Sequence, residues 1–149
     1  MEYKGVDLTL FFQGVQGPDV INELKYHTDF WAVSETGSNK GRRLLDAWTP
    51  ENYNSTIPAV TMDNSNDEGR LSTYFVENGS FFKLRNVQLG YNLPKKALDA
   101  MRAQKFRFYV SAQNLFTIKS RHFTGIDPEN PAYGYPIPLT FSAGLNVSF

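Results

Sequence analysis

The eleven residues "LTFSAGLNVSF", Leu139 to Phe149, alternate apolar and polar side chains almost without error. Leu139, Phe141, Ala143, Leu145, Val147 and Phe149 share one face of an extended strand, because successive side chains point to opposite faces. Thr140, Ser142, Gly144, Asn146 and Ser148 share the other, which is small and uncharged. A strand of a water-soluble sandwich usually carries charge on its outer face.

Three further segments show the same period. "VDLTLFFQGV" puts Val6, Leu8, Leu10 and Phe12 opposite Asp7, Thr9, Phe11 and Gln13. "KFRFYVSAQNLFTI", from Lys105, puts Phe106, Phe108, Val110 and Ala112 opposite Arg107, Tyr109, Ser111 and Gln113. In "SFFKLRNVQLGY", from Ser80, Phe82 and Leu84 lie opposite Lys83 and Arg85, and the phase then slips to Val87, Leu89 and Tyr91. A one-residue bulge near Arg85 or Asn86 would return both sets to one face. The strands are expected at about 6–15, 80–91, 105–118 and 139–149, with a long loop over 16–79. Pro94 in "NLPKKALDAMRAQK" can open one short helical turn, with Leu98 and Met101 on one side.

Strands of about ten residues, with one greasy face and one mildly polar face, match a membrane β-barrel. The expected fold is all-β: long antiparallel meander strands of a transmembrane barrel, with long extracellular loops. Phe12, Phe82 and Phe116 would mark one lipid interface, and Tyr91, Phe106 and Phe149 the other. About four strands cannot close a barrel, since the smallest use about eight, so the chain reads as part of something larger.

Composition narrows the classes. The chain has 149 residues, no cysteine and a formal net charge of zero. Disulfides and thiolate metal sites are therefore excluded, and nothing favours nucleic acid as a partner. No Ser-His-Asp or HExxH pattern supports catalysis and His27 and His122 sit in loop-like contexts, so no enzyme and no cofactor are expected. "DNSNDEG" offers Asp63 and Asp67 as a weak calcium candidate, although Ser65 and Glu68 depart from the EF-hand pattern. In "GIDPENP", Asp127 and Glu129 read as a turn. Asp7, Lys83, Arg85, Arg107, Tyr109 and Gln113 fall on the presumed lumen face, where they could meet a polar substrate or lumen water. Trp31, Trp48, Tyr53, Tyr74 and Tyr133 lie in presumed extracellular loops, where aromatic rings stack on sugars or anchor a neighbouring protein.

The run from "ENGSFFKLRNVQLGYNLPKKAL" through "KFRFYVSAQNLFTI" and "GIDPENP" to "AGLNVSF" resembles the C-terminal end of SusC/RagA-type TonB-linked outer-membrane proteins. "GVDLTLFFQGVQGPDVIN" and "DAWTPENYNSTIP" resemble the preceding strand and its loop in that family. The resemblance implies part of a TonB-dependent nutrient importer for oligosaccharides or peptides, in the outer membrane of a Gram-negative bacterium. Its implied partners are the rest of the barrel and its plug, a SusD-like surface lipoprotein, TonB through an N-terminal region not seen here, and outer-membrane lipid. A plug is absent from this sequence, and the piece alone is not expected to transport. The resemblance also makes Phe149 an assembly signal. The alternative is a soluble secreted β-sandwich that binds carbohydrate or mediates adhesion.

Overall fold

In the computed structural model, which describes residues 1–30, 39–132 and 134–149, period-two sequence has become sheet and the long connection has acquired structure of its own. In chain order the elements are β1 (Glu2–Tyr3), β2 (Val6–Val15), β3 (Asp19–Ile21), α1 (Leu24–Thr28), β4 (Val76–Asn78), β5 (Phe81–Asn92), α2 (Lys95–Met101), β6 (Lys105–Lys119) and β7 (Thr140–Ser148). Short 3-10 turns cover Arg42–Asp46 and Thr73–Phe75. The chain divides into two compact units. The first holds Met1–Gln16, Phe81–Lys119 and Ile137–Phe149, and the second Gly17–Ser80 and Ser120–Pro136.

The first unit is one antiparallel sheet in the order β1-β2-β5-β6-β7. Its register explains the phase slip. Leu10 pairs with Val87, Phe12 with Leu84, and the ladder shifts between them. Arg85 is the extra residue, so Phe82, Leu84, Val87, Leu89 and Tyr91 share the face of Val6, Leu8, Leu10 and Phe12. A second irregularity lies beside it in β6, where Leu84 pairs with Phe116 and Asn86 with Gln113. Asn114 there takes a left-handed φ of 56°, a conformation asparagine tolerates better than most residues. Beyond it Phe108 pairs with Leu145 and Val110 with Ala143, which carries the apolar face onto β7.

The second unit gives structure to most of the stretch expected as a loop over 16–79, together with Ser120–Pro136. β3 and β4 pair as a two-stranded sheet. Asn22 starts α1 by accepting a hydrogen bond from the Leu24 amide at 3.2 Å, while the Lys25 amide bonds the Asn22 carbonyl. Phe75 is fully buried, stacked on Tyr26 at 4.0 Å between centroids and flanked by Phe30 and Tyr74.

These findings correct the expected fold class. The described residues form a mixed α/β fold with two small open sheets and two short helices. They are not the all-β transmembrane barrel strands read from the pattern. The large sheet ends at β1 and β7, which do not pair with each other, so nothing closes. The physical reason is that alternation reports which side chains share a face and says nothing of closure, which needs more strands than these. No helix among the described residues is long and apolar enough to cross a membrane.

Candidate functional site

The polar face of the large sheet collects most of the residues singled out in the sequence. Cross-strand pairing sets them in rows. Asp7 of β2 lies opposite Gly90 of β5, Gly90 opposite Tyr109 of β6, and Tyr109 opposite Gly144 of β7. The next rows are Thr9–Gln88–Ser111–Ser142 and Phe11–Asn86–Gln113–Thr140. Hydroxyls and amides dominate, a surface suited to hydrogen-bonding polar, uncharged groups.

One ion pair crosses this face. Arg107 donates from Nε to Asp7 Oδ1 at 3.1 Å and from Nη2 to Oδ2 at 2.6 Å, a two-pronged grip reaching from β6 to β2. It passes directly over Gly90, where an added Cβ would lie 2.5 Å from both Arg107 Nη2 and Asp7 Oδ1. The Arg107 guanidinium also lies 5.4 Å from the centre of the Tyr109 ring. Gly90→Ala is therefore expected to destabilise the chain by about 1–3 kcal/mol, as an overpacked site does. In an Asp7→Ala/Arg107→Ala background the same change should become neutral or stabilising, because alanine suits a strand better than glycine. Chemical denaturation of the four chains checks this, and an undiminished penalty would refute the steric account.

Arg85 leaves the bulge to donate from Nε to Gln13 Oε1 at 2.7 Å. Lys83 is almost fully buried, with Nζ 5.1 Å from the centre of the Phe81 ring. Gln13 and Lys83 are themselves opposite one another, so these groups form one polar patch. Gln113 is exposed. Phe149 lies one residue past β7 and is 81% exposed.

The second unit holds a polar cluster of which only Tyr74 was expected from the sequence. Lys25 and Glu77 pair at 2.9 Å with both side chains nearly buried. Asn22, wholly buried, donates to Glu77 Oε2 at 2.8 Å and to the Thr124 hydroxyl at 3.0 Å. Thr124 gives its amide to Glu77 Oε2 and its hydroxyl to Glu77 Oε1. Burial pushes the Glu77 carboxyl upward, but Lys25, Thr124 and Asn22 together outweigh it and hold it below the ordinary glutamate range. Beside this, the Tyr74 hydroxyl donates to Asp29 at 2.6 Å, and burial and that carboxylate raise its pKa. Arg43 reaches Asp29 at 3.4 Å. These residues come from distant stretches of chain, and no local pattern marks them. The one local signal was Asn22 ahead of "ELKYH", a residue type whose side chain favours a turn just before a helix.

The loop candidates are dispersed. Tyr53 is exposed and Trp48 partly so, its amide bonded to the Ile57 carbonyl. Trp31 and Tyr133 lie outside the described residues. Asp63 accepts from the amide and hydroxyl of Ser65, and Asp67 adopts a left-handed φ of 53° in a turn. Among the described residues no group of three or more His, Cys, Asp or Glu side chains could hold a metal.

Comparison with known proteins places this geometry. No protein-family model matches the chain. A TonB-dependent receptor of Formosa agariphila is 33% identical over the whole chain, and the TonB-dependent receptor SusC of Bacteroides thetaiotaomicron is 28% identical, also over the whole chain. Among solved structures, the RagAB peptide transporter matches 99% of the chain with a TM-score of 0.77 at 29% identity. The chain is a distant homologue of SusC/RagA-type TonB-dependent receptors. It spans only 14–16% of the length of these relatives. The homology supports a bacterial, outer-membrane-associated protein.

Proposed function

We propose that the chain takes part in nutrient uptake at the outer membrane of a Gram-negative bacterium, as a binding segment of a TonB-dependent importer. The observation that carries this is sequence and structural likeness to such receptors along essentially the entire chain. The cargo is an oligosaccharide or a peptide, and the polar rows of the large sheet offer hydroxyls and amides suited to either. The working partners are a SusD-like surface lipoprotein and the remaining parts of the receptor, through which TonB acts. The role is binding rather than catalysis, and with so small a share of the relatives' length the chain does not transport alone.

A second reading is a stand-alone secreted module that binds carbohydrate or mediates adhesion. It is favoured by a cleft in the second unit where Phe30, Pro58 and Tyr74 meet Asp67, Glu68 and Arg70, since rings beside carboxylates suit sugars. Fractionation of the producing bacterium separates the two. Recovery of the chain with outer membranes, bound to a SusD-like lipoprotein, is the expected result. Recovery from the medium as a free glycan binder would replace the importer reading by the second.

A further inference from the structure

We propose that Tyr109 and Gly144 pin the register of β7 against β6. Alternation alone cannot do this. A slip of one residue would turn the apolar set to the wrong face, but a slip of two would keep every face intact. Shifted by two, Val110 would meet Phe141 instead of Ala143, and Phe108 would meet Ala143 instead of Leu145, still apolar against apolar. The connection from Ser120 to Leu139 is too long to fix register as a tight hairpin turn does. The β6–β7 ladder runs from Lys105↔Ser148 to Gln113↔Thr140 without a bulge, so no irregularity anchors it. The Asn114 side chain bonds the Pro138 carbonyl at 3.2 Å, but another backbone carbonyl could take that place after a slip.

The Tyr109 ring discriminates. It lies across the strand directly over Gly144, where an added Cβ would come within 2.5 Å of Cζ and Oη. Two residues to either side stand Ser142 and Asn146, both with a Cβ at the place the ring would occupy. Only one register puts a glycine beneath the ring. The Asp7–Arg107 pair above Gly90 repeats the device two strands away, with Gln88 and Asn92 as the excluded neighbours.

The chain contains no cysteine, so introduced pairs report register without background. Facing residues are close enough for a disulfide, whereas diagonal neighbours are near or beyond its reach. Val110→Cys/Ala143→Cys should cross-link in the native register, and Val110→Cys/Phe141→Cys only after a two-residue slip. Exchanging Gly144→Ser with Ser142→Gly moves the glycine by two and should invert which pair forms in the refolded chain. Tyr109→Ala, with the native glycine kept, should let both pairs form. If the exchanged chain still joins 110 to 143, or joins neither pair, the proposal fails. It fails equally if Tyr109→Ala joins 110 to 143 alone.

Discussion

Phe75→Ala is expected to lower the unfolding free energy by about 3–5 kcal/mol, the usual range for emptying a buried aromatic site. Phe75 has no solvent exposure and touches rings on three sides, Tyr26, Phe30 and Tyr74. Those neighbours belong to α1, the residues just after it and the 3-10 turn at Thr73–Phe75, so the hole cannot close without moving more than one element. The backbone depends on the same place: the Phe75 carbonyl accepts the Asn22 amide at 2.8 Å. Val76, the next residue, is 40% exposed, and Val76→Ala should cost much less. Denaturant titration followed by circular dichroism measures both, and similar losses would mean that Phe75 is not the packing centre of its unit.

Lys25→Met should have an effect of similar size, about 3–5 kcal/mol at neutral pH, because it strands the Glu77 carboxylate in a buried place. The pH dependence gives a sharper signature. In the parent, Glu77 sits below its ordinary pKa, so its contribution is fully present above the unfolded-state value and is lost as pH falls through the folded one. Without Lys25 the strongest of the groups that hold it down is gone, and the Glu77 pKa moves upward from its value in the parent. The variant is then penalised at neutral pH and relieved as the carboxyl takes up its proton. As pH falls from 7 through the range in which the Glu77 carboxyl takes up its proton, the gap between the two chains should therefore narrow. A gap constant over that range would show that Lys25 acts through packing alone.

The large sheet was legible in sequence because most of its apolar residues recur at a spacing of two within each strand. The run from Val6 to Phe12 lies inside β2, and the broken phase around Arg85 corresponds to the extra residue between Leu84 and Asn86. That about four strands cannot close was legible as well; the fold class was not, since an open sheet and a barrel share the same period. The helix α2 was readable from Pro94 and the spacing of Leu98 and Met101. The second unit was not. Its order comes from Lys25, Glu77 and Thr124 meeting across long separations, with Asn22 and Thr124 102 residues apart in sequence. Its strands β3 and β4 have three residues each, too short to show a period. On the polar face, Asp7 and Arg107 were picked out as charges, but their pairing over Gly90 required the register.

The paired bulges set different path lengths on neighbouring strands. Between the same two levels of the sheet, β2 goes from Phe11 to Phe12, β5 from Asn86 to Leu84, and β6 from Gln113 to Phe116. The steps are one, two and three residues. At about 3.3 Å per extended residue, β6 has up to about 7 Å more chain than β2 over that interval. Like lanes on a bend, the strands must turn, with β2 on the inside and β6 on the outside. The two ends of the large sheet therefore point along different axes. Any surface that lies flush against Val6, Leu89 and Phe108 must itself bend, or break, to meet Phe82 and Ile118.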